Sequence, residues 1–310
     1  MIPYLSSLTN RSARILVDLL PLVLAAMLLV RIGEQFGLSD GLAALLAPLM
    51  QLVGLPAETG IVWAVTILTG IYGGAGVYLS LLPALDLTVA QHSILCSMML
   101  FAHALPVEQV VVHRVGASAW VTGAVRIIAA IAYGITANWI CVETGFLSER
   151  LESPVTEVFA TNPGWIEWLI DTLLYVFVLI FAVVALLLLM DELKALGFID
   201  LLNKLLRPLL SLVGVDRQLA PVATTGVLLG VVYGGALMID EVRASNYSKR
   251  AVFTAMLLVS LMHALIEDTL VVLAIGANVW IVLIGRVPFA LVFIFFFLRV
   301  PVALSATSKR

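Results

Sequence analysis

Charge is what this sequence most lacks. Only 12% of its 310 residues are charged and 62% are hydrophobic, whereas an ordinary soluble domain has about 25% charged residues. That apolar excess is more than one buried core can hold, and it falls in runs of the length a bilayer-crossing helix needs, about 20 residues. Cysteine is scarce too. Cys96 and Cys141 lie in or beside apolar segments and form no CxxC pair, which argues against a disulfide framework or a cysteine metal site. A net charge of −3 offers no basic surface for nucleic acid. No Walker-type phosphate loop, nucleophile elbow or HExxH helix occurs, so hydrolysis and a dense metal-ligand set have no motif behind them. The expectation is a protein that is not an enzyme, with no catalytic residue, no cofactor and no metal site. The apolar run after Arg14 continues to about Val30 with no small-residue cleavage site following it. It reads as a first membrane helix.

What the sequence does contain is a repeat. A shift of 160 residues places Gly37 on Gly197, Asp40 on Asp200, Pro48 on Pro208 and Leu52-Val53-Gly54 on Leu212-Val213-Gly214. The same shift places His103-Ala104-Leu105 on His263-Ala264-Leu265, Glu108 on Asp268, Gly116 on Gly276, Trp120 on Trp280 and Arg126 on Arg286. Tyr72-Gly73-Gly74 matches Tyr233-Gly234-Gly235 at 161, a slip of one residue undone before His263. Chance rarely aligns His, an acid, Trp and Arg in one order. Residues 1–140 are read as repeat 1, 141–167 as an outer linker and 168–310 as repeat 2. Paired repeats are an architecture of secondary transporters.

Each repeat reads as one series. In the first, a helix at about 15–33 is followed by an amphipathic segment at 38–53 and an apolar stretch at 58–83 broken at Tyr72-Gly73-Gly74. Helices at 88–105 and 114–140 complete it. The second gives 168–190, 198–213, 218–239, 250–266 and 270–298. With the broken stretch as a re-entrant hairpin, each repeat crosses three times and the second is inverted. The predicted fold is thus an all-α membrane protein of two inverted-topology repeats. Each has about three transmembrane helices, a re-entrant or broken helix and an amphipathic interfacial helix.

Lys and Arg support this orientation, because they concentrate in cytoplasmic segments. With both termini inside, 13 of the 17 fall on the inner side, Arg31 and Arg150 outside, and Arg126 and Arg286 within the membrane. Asp200, Asn203, Lys204, Arg207 and Ser211 share one helical face, as in a helix lying on the inner surface. Their counterparts Asp40, Ala43, Ala44, Ala47 and Gln51 carry no cation, as an outer position would require. The linker, with Glu143, Glu149, Glu152, Glu157 and Glu167 against Arg150, reads as a solvated outer loop. The predicted location is a bacterial inner membrane.

Ionisable groups within membrane segments are costly and usually mark function or a structural pair. Three duplicated sets qualify. The Tyr-Gly-Gly triplets either expose backbone to a ligand or pack helices closely. His103 with Glu108, and His263 with Glu267 and Asp268, could bind a polar solute or a cation, relay protons, or close helix ends. Arg126 and Arg286 need an acid, a carbonyl or an anion, with Glu108 and Asp268 the nearest candidates. Asp240 and Glu241 read as a solvated inner loop.

On these residues the chain resembles a nucleoside-recognition, or Gate, domain membrane protein. The resemblance rests on the Tyr-Gly-Gly triplets, the His-Ala-Leu segments with following acids and the duplicated layout, over most of 15–140 and 169–300. Similar Gate segments occur in the membrane part of the ferrous-iron transporter B family, in sporulation membrane proteins and, in likeness, in concentrative nucleoside transporters. The resemblance implies transport. It lacks the iron transporters' GTPase domain, and Cys96 and Cys141 are not duplicated, since Met256 and Pro301 take the equivalent places.

The resulting expectation is a transporter of a small polar or anionic, nucleoside-like solute, working by alternating access and assembled as a homodimer or larger. The solute would meet Tyr72, Gly73, Gly74, His103, Glu108, Arg126, Tyr233, Gly234, Gly235, His263, Glu267, Asp268 and Arg286. A divalent-cation permease using the same acids and histidines, and a non-transporting scaffold or partner subunit, are the alternatives.

Overall fold

In the computed structural model the chain is an all-α membrane protein. Residues 2–152, 164–244 and 247–300 are described. The middle of the predicted linker and the predicted cytoplasmic C-terminus lie outside them, as do the side chains of Asn203, Arg207, Ser211 and Tyr233. Six helical spans are long and apolar enough to cross a membrane: Tyr4–Gln35, Val89–Val115, Ala119–Thr144, Trp165–Ala195, Lys249–Ala274 and Trp280–Phe297. No strand occurs among the described residues, where one isolated bridge joins Thr88 to Arg150.

The order of elements recurs. The first half runs α1 (Ile2–Gln35), α2 (Leu38–Leu52), α3 (Thr59–Thr69), α4 (Ile71–Leu81), α5 (Val89–Phe101), α6 (Leu105–Val115) and α7 (Ala119–Thr144). The second runs α8 (Trp165–Ala195), α9 (Phe198–Leu212), α10 (Ala220–Leu229), α11 (Val231–Ala244), α12 (Lys249–Met262) and α13 (Glu267–Ala274). A π-helical turn at Trp280–Gly285 then leads into α14 (Arg286–Phe297). The two long helices α1 and α8 pack side by side and antiparallel. Tyr4 and Arg11 near the start of α1 bind Asp191 near the end of α8, while Arg31 lies over the ring of Trp165 at the other end.

Burial sorts the spans by position. Only 17% of the apolar stretch of α1 and 22% of that of α8 is buried, against 67% for α5–α6 and 72% for α12–α13. The broken spans therefore form the centre, and the unbroken α1 and α8 present Leu29, Phe177, Phe181 and other large apolar side chains outward. That is the expected sorting where lipid is the solvent, since an interrupted backbone at membrane depth must find its hydrogen bonds inside protein.

Two helical hairpins supply part of that protein. In α3–α4 the chain doubles back, because a Cβ on Gly74 would lie 1.8 Å from the hydroxyl of Thr66, eight residues earlier. In α10–α11 a Cβ on Gly234 would stand 2.1 Å from the Cα of Gly226. The reversals occur at Gly70 (φ 102°) and Gly230 (φ 97°), a left-handed conformation that glycine adopts without steric cost. They do not occur at the Tyr-Gly-Gly triplets, which follow in the first turns of α4 and α11. The true breaks match at a shift of 160, so the inferred one-residue slip has no structural counterpart.

Two more breaks interrupt the central spans. Between α5 and α6, Ala104 has φ 46°; between α12 and α13, Ala264 has φ 47°. The expected helix at 88–105 thus belongs to a longer span, and its histidine lies midway along it. A left-handed residue with a Cβ costs about 1–2 kcal/mol. Each break rests on the hairpin tip of its own half: a Cβ on Gly70 would lie 3.6 Å from that of Ala104, and one on Gly230 3.9 Å from that of Ala264. Freed backbone groups are satisfied across these contacts. Ala104 N–H donates to the Thr66 carbonyl (3.0 Å) and Leu265 N–H to the Val227 carbonyl (2.9 Å).

Candidate functional site at the meeting of four helix breaks

His103 and His263 sit one residue before the two left-handed alanines, and they meet. Their Nε2 atoms are 2.8 Å apart. Each Nδ1 lies 3.1 Å from a carbonyl of the preceding turn, Met99 for His103 and Ser260 for His263. A carbonyl accepts only, so each Nδ1 carries a proton, and the two Nε2 atoms face each other across a contact that holds one shared proton or another cation.

Two carboxylates close around this pair, each in the first turn of the helix that follows its break. Glu108 Oε1 is 3.0 Å from His263 Nε2 and 3.4 Å from His103 Nε2. Asp268 Oδ2 is 3.2 Å from His103 Nε2. Both acids sit where the helix dipole favours negative charge, and all four residues are buried, none more than 7% exposed.

Arg126 secures the first half. From α7 it pairs with the other oxygen of Glu108 and donates to the carbonyls of Phe101 (2.8 Å) and His103 (3.0 Å). One guanidinium thus neutralises the acid, satisfies carbonyls left open at the end of α5 and turns Glu108 Oε1 toward the histidines. Arg286 holds the equivalent place and is equally buried, yet none of its three nitrogens has a hydrogen-bond partner among the described residues. Two changes account for this. Asp268 is one methylene shorter than Glu108. The turn before Arg286 is π-helical where the first half is α-helical, and Pro288 follows where the first half has Ile128. Proline has no N–H for the Ile284 carbonyl, and its ring crowds that carbonyl; both favour a widened turn, a feature frequent at functional sites.

The remaining sequence candidates divide. Tyr72 and Glu267 come together across the halves, the hydroxyl donating to Glu267 Oε1 at 3.2 Å. Gly73, Gly74, Gly234 and Gly235 do not open onto a ligand. A Cβ at these positions would meet Thr69, Thr66, Gly226 and Val111 respectively at 1.8–2.2 Å, so their role is close packing. Tyr233 lies in α11, one residue out of register with Tyr72, and its side chain is outside the described residues. Asp240 and Glu241 lie in helix α11 and not in a loop.

Sequence reasoning missed several groups. Tyr175 of α8 donates to the Tyr72 carbonyl (2.7 Å), and Tyr133 of α7 donates to the Ile281 carbonyl in the π turn (2.5 Å). His92, buried, bonds Tyr78 through Nδ1 and has Cys96 Sγ 3.8 Å from Nε2. None of these has its polar group repeated at the shift of 160, where Tyr133 falls on Phe293, so the repeat gave no signal for them. Local spacing also hid one group of potential ligands. His103, His263 and Asp268 place ligand atoms within 4.8 Å of one another, a set assembled from segments 160 residues apart that local spacing cannot reveal.

A cavity opens beside each hairpin, away from its tip. One, of about 630 Å³, is lined by Arg31, Glu34, Asp40, Glu58, Ile61 and Leu81. The other, of about 370 Å³, is lined by Pro221, Thr225, Leu237, Asp240 and Glu241. Both carry more carboxylates than cations.

No family model and no solved structure matches the chain. It is similar to the uncharacterized membrane protein YvoD of Bacillus subtilis (strain 168), with 30% identity over 270 residues that cover 84% of this chain and 83% of that protein.

Proposed function

The chain belongs to the family of the Bacillus subtilis membrane protein YvoD, and on that premise we propose that it is a transporter, moving a small polar or charged solute between two inverted halves by alternating access. One observation carries the reading: the breaks of two central spans and the tips of two helical hairpins converge on a buried cluster to which both halves contribute, joined at the 2.8 Å contact of His103 and His263. Discontinuous helices at the interface of repeats are how transporters present helix termini and polar side chains to a solute at the bilayer midplane. The antiparallel packing of α1 and α8 supports the inversion, since these are the equivalent first helices of the halves. The cavities beside the two hairpins are the entrances, one to each side of the membrane. A Gate-type domain, halves at 1–140 and 168–310, cytoplasmic termini in a bacterial inner membrane and assembly of two or more copies belong to the same reading. No bond of the solute is made or broken.

Uptake by purified protein in liposomes, over a panel of nucleosides, organic anions, amines and divalent metals, tests this. Uptake of at least one solute, lost in Asp268→Asn with the fold retained, is expected. No uptake of any solute, with the variant merely unstable, would move the intramembrane charges to a scaffold role.

A further inference from the structure

We infer that the central cluster is a binding site for a divalent transition-metal cation, held by His103 Nε2, His263 Nε2, Glu108 Oε1 and Asp268 Oδ2; the inference rests on the transport reading above and names its cargo. The argument begins with the ligand atoms of His103, His263 and Asp268, which lie within 4.8 Å of one another, the two Nε2 atoms at 2.8 Å. Two imidazole nitrogens that close hold a cation between them, a proton or a metal ion, and the carbonyls of Met99 and Ser260 fix both rings in that orientation. A hydrogen bond from Nδ1 to a backbone carbonyl is how metal-ligating histidines are commonly fixed.

The carboxylates give an independent indication. Asp268 is 5% exposed, and its Oδ2 accepts no hydrogen bond while pointing at His103 Nε2 from 3.2 Å. A buried carboxylate oxygen without a donor is costly, and a cation resolves it. Glu108 divides its two oxygens between Arg126 and the histidines. Arg126 thereby acts as a positioning residue, orienting the ligand without touching the ion.

Geometry and donor type select the ion. Four of the six donor pairs stand 2.8–3.4 Å apart, and Asp268 lies within 4.8 Å of both histidine ligand atoms. A tetrahedral set at bond lengths of about 2.0–2.2 Å has its donors about 3.3–3.6 Å apart, so an ion requires the histidine pair to part and Asp268 to draw toward His263. Two imidazoles with two carboxylates suit Zn(II), Fe(II) or Mn(II), whereas Mg(II) and Ca(II) prefer all-oxygen shells. Cys96 is turned to His92, and no cysteine is grouped with this cluster among the described residues. The carboxylates lining both cavities favour a cation's approach.

The test uses the full-length protein in lipid nanodiscs. Equilibrium dialysis against Zn(II), Mn(II) and, without oxygen, Fe(II), with Mg(II) as control, is read by elemental analysis. One transition-metal ion per chain is expected, saturable, excluding Mg(II), and weakened at least about 100-fold in Asp268→Asn and in His263→Gln, since losing even an outer-shell partner costs about 10–100-fold. Should the variants fail to fold, X-ray absorption on the unaltered protein with Zn(II) still decides. Two imidazole nitrogens plus carboxylate oxygens at about 2.0–2.2 Å support the site. A sulfur-containing or all-oxygen shell, no saturable binding, or binding unchanged in both variants overturns it. Liposome uptake separates the two readings. A metal bound here but not moved supports the site and overturns transport. An organic solute moved with no metal bound keeps transport and overturns the site.

Discussion

The two halves of this protein place an arginine at equivalent positions and treat it differently. Arg126 is fully engaged, with Glu108 and two carbonyls; Arg286 is just as buried but makes no hydrogen bond among the described residues, and Asp268 attracts it only from a longer range. The sequence difference behind this is small: Glu against Asp, Ile128 against Pro288, and the π turn that Pro288 favours. Its consequence is that the first half locks its side of the centre, while the second leaves both a carboxylate oxygen and a guanidinium without donors or acceptors. A pseudo-symmetric frame can thus hold one rigid wall and one wall whose polar groups are open to a ligand.

Substitutions that act on one half test this comparison. The largest effect is expected at Arg126. Arg126→Gln strands Glu108 as a buried charge and leaves carbonyls open, at a cost of about 3–5 kcal/mol; Arg286→Gln should cost less, because no hydrogen bond is lost and only the longer-range attraction to Asp268 goes. Denaturation in mixed micelles reads both, and equal losses would end the comparison.

Glycine packing gives the next contrast. Gly234→Ala drives a methyl into the backbone of Gly226, whereas Gly74→Ala meets the side chain of Thr66, which can turn. Losses of about 1–3 kcal/mol are expected from overpacking, with the second hairpin the more sensitive. A thermal shift larger for Gly74→Ala would show that the hairpins are not packed as described.

Smaller effects belong to the hydroxyls that cross between halves. Tyr72→Phe removes the donor to Glu267 and Tyr133→Phe the donor to the Ile281 carbonyl; each should cost about 0.5–1.5 kcal/mol, with Tyr72→Phe the larger because it leaves the carboxyl of the half-buried Glu267 without that donor. Thermal melts of the two variants side by side give the order. If Tyr133→Phe is the worse, the π turn depends on that hydroxyl more than the Tyr72–Glu267 bond matters.

The sequence made visible what the repeat duplicated and little else. His103 with His263, Glu108 with Asp268 and Arg126 with Arg286 stood out because identical or like residues recur at one spacing inside apolar runs, where each is costly. The amphipathic α2 and α9 were legible for the same reason; in α9 Asp200 and Lys204 are exposed together with Leu201 and Leu205, as expected of a helix at a lipid surface. The breaks were misplaced because a glycine's sequence does not say whether it bends the chain or admits a neighbour. Gly70 and Gly230 do the first, Gly74 and Gly234 the second. Ala104 and Ala264 carry no local signal at all, since their left-handed backbone is imposed by the hairpin tips against them. Tyr133 and Tyr175 act on backbone carbonyls far along the chain, which no spacing records.

Accessibility of the central break tests the account most directly. With Cys96 and Cys141 replaced, Ala264→Cys is labelled in sealed vesicles by a membrane-impermeant thiol reagent, applied from one face and then, in a separate sample, from the other. Alternating access predicts labelling from both faces, with a bound solute or metal protecting each. Labelling from neither face, or from one face only whatever is added, would contradict a site that opens to each side in turn.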